Sequence, residues 1–408
     1  MPQGMTTATE ILKEVYVGRI NNQLDSEPTT YNRIKTKTNA EKYGGKWVEF
    51  PIHVQRNTGI GARTENAALP NSGQQGYREA QLGIKSFYGA FELTGQAFDL
   101  AEKDYQSFAS LVSEESTRIK DDLMVDRNRQ VYGNGTGVMA TTASLAGQVI
   151  TLSTTGDKGV WRLQDGMRID VMVGNTNVVR QGNLTVSDID VINNTVTVVG
   201  TTTGIIAGDV IVRQGNYGNE WTGLNAIIDD ASSLYGISHL NGPTGSRHWR
   251  AHVNTQGGTP TAIAEATMAR MSDRIKTSGG KTTCIYSSPG VYRSYWQLLK
   301  SDRRFVNTTK FTGGYSGLVY DSPQGEVPFL SDDQASTGTM YFVNENELDI
   351  YRPYEYKLID RGGSTWRQKS DANGVYDVWQ AWLVERSEIG TKRRNTHGKI
   401  TNIIEDAY

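Results

Sequence analysis

The most regular pattern in the chain is an alternation of apolar and polar residues in "KWVEFPIHVQ", residues 46–55. Val48, Phe50 and Ile52 fall on one side of this segment, which predicts a half-exposed β-strand. A tip rich in Gly, Asn, Ser and Gln follows, "NTGIGARTENAALPNSGQQGY", and then a return segment, "REAQLGIKSFYGAFELTG". Together they predict an extended hairpin, which cannot bury both faces alone. No adjacent segment obviously covers its apolar row, so we expect the hairpin to lie across a neighbouring subunit.

A long helix is predicted over residues 99–132. Asp99 suits an N-cap and Gly133 suits a helix stop. Apolar residues recur at helical spacing at Phe108, Leu111, Val112, Ile119 and Leu123. Such a helix would be about 50 Å long. Because the apolar stripe lapses near Glu115 and the flanks are charged, only one narrow face is expected to pack.

Residues 144–214 differ in composition from the segments around them. They contain short Val/Ile/Thr-rich predicted strands such as "GQVITLST", "DGMRIDVMV" and "GDVIVRQG". Asn193 and Asn194 predict a two-residue hairpin turn. The strands are expected to form one small barrel or sandwich, inserted into the rest of the chain. The glycines of "GNYGN", residues 215–219, follow its last strand.

The two ends of the chain complete an α+β pattern. Residues 1–43 read as a polar, extended arm with one short helix in "TATEILKEVYVGRI". The C-terminal half predicts two helices, in "TAIAEATMARMSDRIKTSGG" and "PGVYRSYWQLLK". It also predicts strands in "KTTCIYSS", "TMYFVNENELDIY" and "VYDVWQAWLV".

Composition narrows the function classes. The 408 residues have a net charge of −2, so no global field recruits nucleic acid or an anionic membrane. One cysteine, Cys284, excludes an intrachain disulfide framework and a Cys-based zinc site. No apolar run reaches membrane-spanning length, and acids interrupt the N-terminal segment where a signal peptide would be apolar. These features indicate a cytosolic product.

The candidate chemistry is weak. "GNYGN" lacks the Lys and Ser/Thr of a phosphate-binding loop, which favours a hinge over a phosphate site. "TGGYSGL" has Leu318 where a nucleophile elbow has its second Gly. His248 and His252 have helical ligand spacing but no acid between them. The acids of "LSDDQ", residues 330–334, are more typical of a turn than of a cation site. No catalytic, cofactor-binding or metal site is predicted.

The order of the parts resembles the major capsid proteins of tailed double-stranded DNA bacteriophages, the Hong Kong 97-type fold. Local phrases similar to that family, especially to its actinobacterial-phage members, include "ATEILKEVYVGRI", "GNEWTGLNAII", "HWRAHVN", "SSPGVYRSYWQLL" and "EVPFLSDD". Each phrase is weak alone, and the set covers nearly the whole chain. The protruding arm, hairpin and helix also fit a symmetric assembly in which neighbouring copies supply the missing contacts.

The resemblance implies a division of the chain. An N-terminal arm would take residues 1–43, an extended hairpin loop 44–98, and a spine helix with the start of a peripheral domain 99–143. A β-rich insertion would take 144–217, an axial domain 218–340, and return strands 341–408. Because only an arm and a hairpin precede the helix, no N-terminal scaffolding segment is expected. The spine helix, the peripheral and axial domains and the insertion together make an α+β shell subunit.

The resemblance also implies the function and partners. The chain would form hexamers and pentamers of an icosahedral head that encloses double-stranded DNA without reading its sequence. Assembly would take place in the host cytoplasm, with a portal protein and possible separate scaffolding and decoration proteins, and no membrane. The alternatives are an encapsulin-like nanocompartment shell and a β-rich polysaccharide hydrolase suggested by Trp379 and Trp382.

Inter-subunit contacts are expected from residues of the arm and the hairpin, namely Arg33, Lys35, Lys37, Trp47, Phe50, Arg63 and Arg78. Gly215 and Gly218 are expected to form the exit hinge of the insertion. Some relatives join a hairpin lysine to an asparagine of a neighbouring subunit. Here no lysine lies between Lys46 and Lys85, so the shell is expected to be non-covalent.

Overall fold

The computed structural model describes residues 28–37, 47–95, 105–153, 159–301, 309–310, 316–360, 363–371 and 374–406. The predicted helix in residues 7–20, the proposed cap Asp99 and most of "TGGYSGL" lie outside these ranges. In the predicted extended arm, the structure instead has helix α1, Thr29–Lys37. Tyr31 and Ile34, one helical turn apart, are both fully buried, and this burial explains why the polar arm segment is helical.

The hairpin pairs strand β1, Trp47–Gln55, with β2, Gly76–Gly83, from Trp47↔Gly83 to Gln55↔Gly76. The rest of the predicted return segment is a separate strand, β3, Lys85–Thr94. It leaves the hairpin and pairs with a long strand from the C-terminal part of the chain. The predicted continuous hairpin over residues 46–94 was therefore too long.

Helix α2, Tyr105–Val131, corresponds to the predicted long helix. The side chains of Phe108, Leu111 and Val112 lie outside the described part of the chain. Of the rest of the stripe, Leu123 is buried. A Cβ added to Gly89 of β3 would lie 3.0 Å from Ile119 and 3.1 Å from Leu123. Glycine at this position therefore lets α2 lie directly on the β3 backbone.

A closed six-stranded barrel follows α2, in the strand order β4-β5-β8-β7-β6-β9. Its strands are β4 Val138–Ala146, β5 Val149–Leu152, β6 Arg168–Met172, β7 Val179–Asp190, β8 Thr195–Val199 and β9 Val210–Arg213. A short 3₁₀ helix, Gly159–Arg162, lies between β5 and β6. The barrel has its own apolar core, with Ile150, Ile169 and Leu184 among its fully buried members. Closure requires β4, which begins ahead of the predicted boundary at residue 144.

The β7–β8 connection differs from the predicted two-residue turn. The last pair of the ladder is Asp190↔Thr195, so four residues, 191–194, form the loop. Asn194 has a positive φ of 51°. The carboxylate of Asp190 accepts hydrogen bonds from the backbone N–H groups of Ile192 and Asn193, which stabilises the longer loop.

The chain then enters an α+β unit built on a seven-stranded mixed sheet, ordered β10-β19-β15-β11-β14-β13-β12. Its strands are β10 His252–Asn254, β11 Cys284–Ser287, β12 Thr309–Lys310, β13 Ser316–Ser322, β14 Gly325–Ser331, β15 Met340–Val343 and β19 Gly398–Ile400. The helices of this part are α3 Leu224–Ile227, α4 Glu265–Thr277 and α5 Pro289–Ser301. Short 3₁₀ turns occur at Gln256–Gly258, Glu345–Glu347 and Arg394–Thr396.

A four-stranded sheet joins the two ends of the chain. Its long strand β18, Gly374–Thr391, pairs with β16, Leu348–Leu358, with β17, Arg367–Asp371, and with β3. The largest buried apolar cluster lies where this sheet, the hairpin base, α1 and the end of α2 meet. A second cluster lies between helices α4 and α5 and the seven-stranded sheet.

Candidate inter-subunit contact surfaces

The base of the hairpin packs on its own subunit. Val48 is buried, and the ring of Phe50 stacks on Tyr351, with 6.0 Å between centroids and 5° between planes. Tyr235 approaches the same ring edge-on at 6.4 Å. The expectation that the apolar row of β1 lacks cover within the chain was therefore wrong at the base. A local sequence pattern could not predict that residues 235 and 351, distant along the chain, would cover this row.

The opposite face of the hairpin is exposed. The Trp47 side chain is 48% exposed and that of Tyr77 is 60% exposed. The Tyr77 ring lies 5.3 Å from that of His53, centroid to centroid. Exposed aromatic side chains on one face of a protruding hairpin are suited to contact a partner.

The hairpin tip is an internally braced loop. The side chain of Asn57 accepts a hydrogen bond from the Gly59 N–H at 2.7 Å and donates one to the Gly73 carbonyl at 3.1 Å, which joins its two sides. Arg63 donates from Nε to the Ala68 carbonyl at 2.9 Å. Two apolar side chains project from this loop, Ile60 at 86% exposure and Leu69 at 83%. Neither residue was predicted to be a contact, although both lie in a tip that is mostly polar.

Arg78, at the start of the return strand, is bound to its own subunit. Its guanidinium donates to the Gly242 carbonyl at 3.0 Å and to the Tyr77 carbonyl at 2.9 Å. The first of these bonds ties β2 to the loop around residue 242. Arg78 therefore helps to hold the hairpin against its own subunit.

Helix α1 is anchored by polar contacts on both sides. Arg33 forms a two-point ion pair with the fully buried carboxylate of Glu345, which also accepts from the Tyr286 hydroxyl at 2.8 Å. On the other side, Asp332 accepts from the Thr30 hydroxyl at 2.6 Å. Arg33 thus holds the arm to its own subunit. The side chains of Lys35 and Lys37 lie outside the described part of the chain.

Asp332 belongs to the "LSDDQ" turn. Besides Thr30, it accepts hydrogen bonds from the Asn128 amide at 3.1 Å and from the Gln334 N–H at 2.9 Å. The carboxylate therefore joins α1, α2 and its own turn. The turn interpretation of this motif was the better one, and the anchoring role was missed because each partner is distant in sequence.

The junction between α2 and the barrel contains a buried ionic network. Arg129 bonds the Asp126 carboxylate at 3.0 Å and that of Glu220 at 2.6 Å. Burial alone would raise the pKa of Asp126, but the guanidinium groups of Arg129 and Arg213 outweigh it and hold the pKa below its usual range. The network joins the last turn of α2 to the segment by which the chain leaves the barrel.

Gly215 and Gly218 both have positive φ, 74° and 73°. Their N–H groups are already bonded, that of Gly215 to Asp170 Oδ2 and that of Gly218 to the Thr136 carbonyl, each at 3.0 Å. Because these donors are satisfied within the chain, the loop is not prepared to receive a phosphate. The left-handed backbone conformation, not crowding, explains glycine here.

The described residues contain no group of three or more His, Cys, Asp and Glu side chains placed to hold a metal ion. His252 lies in strand β10, so the helical spacing considered for His248 and His252 is not realised. Cys284 is buried as a free thiol. Among the helices in the described ranges, none is long and apolar enough to cross a membrane.

Comparison with known proteins gives matches over nearly the whole fold. A subunit of the cyanophage A-1(L) capsid asymmetric unit matches with a TM-score of 0.59 at 16% identity, covering 97% of this chain and 98% of that one. The capsid of the empty GTA particle matches with a TM-score of 0.51 at 9% identity, covering 98% and 99%. The capsid of the native GTA particle gives 0.50 at 9% identity, covering 96% and 95%. At these identities the likeness establishes the fold, which is of the Hong Kong 97 type.

A search of curated proteins found no match. The family model described as SU10 major capsid protein matches residues 129–403, from the last turn of α2 to beyond β19.

Proposed function

The chain belongs to the SU10 major capsid protein family, and from this premise we propose how it builds a phage head. It is a structural protein of the virion capsid, and many copies assemble into the shell. Hexamers and pentamers of the chain form an icosahedral head that encloses double-stranded DNA. The observation that carries the proposal is the family match over residues 129–403, which includes the barrel and most of the α+β unit.

The hairpin is the principal contact between neighbouring copies. Its base and Arg78 fix it to its own subunit, so that the tip projects at a defined angle. The tip carries Ile60 and Leu69, both almost fully exposed, and Trp47 lies on the exposed face of β1. Burial of two such aliphatic side chains contributes about 3–6 kcal/mol per contact, which is large when repeated around a shell.

The remaining parts have subordinate roles in the assembly. The barrel, with its own core, lies on the outer surface, where it braces the capsomer or receives a decoration protein. Gly215 and Gly218 form the hinge at its exit. The arm that precedes helix α1 reinforces contacts between subunits. Assembly takes place in the host cytoplasm, with a portal protein at one vertex and a separate scaffolding protein where one is needed.

The shell is held by non-covalent contacts. Lys85, at the base of the hairpin, already donates from Nζ to the Gly218 carbonyl at 2.7 Å, and Cys284 is buried. A covalent cross-link needs a neutral amine or an accessible thiol at the subunit surface. The Lys85 amine is already bonded within its own chain, and the Cys284 thiol is not accessible.

The proposal is tested by replacing both tip side chains, Ile60→Asp with Leu69→Asp. The double variant should remain folded by circular dichroism but fail to form sedimenting particles. Ile192→Asp is the matched control, because Ile192 is 94% exposed on a barrel loop that the proposal places away from the main shell contacts. Normal particles from the tip variant would show that the hairpin tip does not hold the shell together.

A further inference from the structure

A large cleft lies beneath the hairpin and has walls from five parts of the chain. They are β1 with residue 56, residue 78 of β2, the loop 241–249, the end of α4 with residues 276–279, and the turn 392–395. Its volume is about 1340 Å³. The lining includes six cationic side chains, Arg56, Arg78, Arg247, Lys276, Lys392 and Arg393, and no Asp or Glu. We call it the basic cleft.

Three of these cations have no carboxylate partner in the part of the chain that the structure describes. Arg56, Arg247 and Lys276 are exposed, and none forms an ion pair with a described residue. The other charges are only partly offset. Lys392 lies 3.5 Å from Asp349, and Arg393 lies 3.5 Å from Glu347, both outside the lining of the cleft.

A smaller adjoining cavity extends the same positive surface. It shares Arg247 with the basic cleft and adds Arg250 and Arg274, with Asp230 as the one acid in its lining. Converging like charges repel one another, and a concave surface concentrates their field. An arrangement of this kind is stabilised when an anion occupies it.

The size of the cleft favours a protein segment over the packaged genome. Cavities of about 300–1,000 Å³ hold a drug-sized ligand, so 1340 Å³ admits a few side chains on a loop or strand. This volume is too small to enclose a DNA duplex, which could place only backbone phosphates at the mouth of the cleft. The ligand is therefore expected to be a set of carboxylates on a protein.

A second copy of the chain carries the required charge. With a net charge of −2, the acids that balance these cations must lie elsewhere on the same chain. Asp121 and Asp122 are adjacent on α2, and neither forms an ion pair with a described residue. Burial and the neighbouring Asp121 raise the pKa of Asp122, and this rise outweighs the opposing charges of Arg213 and Arg118.

We infer that the basic cleft binds carboxylates of a neighbouring copy of this chain and is therefore a charged contact site between subunits. The assignment rests on the proposed shell function, because only an assembly brings a second copy to the cleft. It adds charge pairing beneath the hairpin to the apolar contact made at the hairpin tip. Such pairing sets the rate and register of association more than its affinity.

Charge reversal in the full chain tests the assignment. Arg247→Glu and Lys276→Glu should each lower the yield of sedimenting particles at least about tenfold, because they place a carboxylate where a carboxylate must bind. Arg168→Glu is the matched control, because Arg168 is an exposed barrel arginine without an ion pair to a described residue. Particle formation by the wild type should slow as NaCl is raised through about 0.1–1 M.

Carbodiimide cross-linking of wild-type particles provides a test that needs no variant. Particles assembled from a mixture of ¹⁴N- and ¹⁵N-labelled chains should yield mixed-isotope peptides that join the Lys276 amine to a carboxylate. The Lys392–Asp349 pair, 3.5 Å apart within one chain, is the internal reference and should stay within one isotope. The mass spectrum also identifies the acid that enters the cleft.

Three results would overturn the inference while leaving the proposed shell function intact. The first is full particle yield from both reversal variants at every salt concentration. The second is the absence of mixed-isotope peptides at Lys276 when the Lys392 reference forms. The third is normal assembly with reduced DNA content in the variants, which would assign the cleft to nucleic-acid phosphates. If the wild type itself forms no particles, the shell function fails instead.

Discussion

The buried carboxyl group of Glu388 predicts an unusual dependence of subunit stability on pH. Glu388 lies on β18 and is 1% exposed. Its Oε1 accepts a hydrogen bond from the Thr222 N–H at 2.7 Å. Burial raises the pKa of Glu388 to about 8, and the hydrogen bonds and nearby cations only partly oppose this rise. The folded subunit therefore keeps this side chain protonated at neutral pH.

The sign follows from the protons bound in each state. Between pH 4.5 and 8 the unfolded chain has lost the Glu388 proton and the folded chain retains it. The free energy of unfolding therefore falls by about 1.4 kcal/mol for each unit by which the pH rises through this window. Below pH 4.5, Glu388 makes its full contribution to the stability of the folded subunit.

A buried histidine acts in the opposite direction. Burial, assisted by the charge of Arg393, lowers the pKa of His397 to about 3 from 6.5. The unfolded chain then binds a proton that the folded chain excludes, so stability is lost as the pH falls from 6.5 to 3. Between pH 4.5 and 6.5 the effects of Glu388 and His397 on the free energy of unfolding nearly cancel. Between pH 6.5 and 8, of these two groups, Glu388 alone makes the stability depend on pH.

The measurement is urea unfolding of unassembled subunits at intervals from pH 4.5 to 8. Glu388→Gln keeps an acceptor for the Thr222 N–H but cannot ionise, so the difference from wild type should change by about 1.4 kcal/mol per pH unit. Glu326→Gln, which removes an exposed carboxyl group from β14, is the control for the substitution itself. A difference for Glu388→Gln that does not vary with pH would show that Glu388 binds its proton equally well in the folded and unfolded chain.

Three further predictions concern the stability of the subunit and the shell. Arg127 lies between the rings of Phe87 and Trp221 and bonds Glu385 at 2.8 Å, both side chains being fully buried. Arg127→Met should lower the free energy of unfolding in urea by about 3–5 kcal/mol, and adding Glu385→Leu should restore much of that loss. Additive losses from the two substitutions would show that the two side chains do not stabilise the subunit as a pair. Residues 136–219, expressed alone, should melt cooperatively by circular dichroism, whereas 144–217, without strand β4, should not. Boiling particles in SDS with reductant should release one band near 45.0 kDa, and a ladder of covalent multimers would contradict non-covalent assembly.

Local patterns predicted most of the regular elements. The helical spacing in "EATMARMSDRIKT" buries Met268, Met271 and Ile275 as one face of α4. Pro289 begins α5 as a first-turn proline should. The short Val/Ile/Thr runs after residue 144 became strands of the barrel. In each case the side chains that form the element also form its buried face.

The failures have a common physical cause, which is contact between residues distant in sequence. Strand β3 reads as part of the hairpin but pairs with β18, nearly three hundred positions away. The sequence of helix α1 was interpreted as part of a polar, extended arm. In the structure, Tyr31 and Ile34 of this helix are buried in the largest apolar cluster. Asp332 and Glu345, which anchor α1, carry no local signal of that role.

The partners of the candidate contact residues were also hidden from the local sequence pattern. Arg33, Phe50 and Arg78 were expected at subunit contacts, and the structure engages each within its own subunit. A charged or aromatic side chain in a protruding segment does not reveal its partner until the fold is known. The basic cleft likewise assembles cations from separate segments, so no single stretch of sequence indicates it.

Copies of this chain are proposed to close into a shell through the hairpin, and electron cryomicroscopy of particles formed by the full chain can show this. The expected structure is a closed icosahedral shell of pentamers and hexamers, with Ile60 and Leu69 of each hairpin packed on a neighbouring copy. A small discrete oligomer, or a shell in which each hairpin tip contacts only its own subunit, would contradict it.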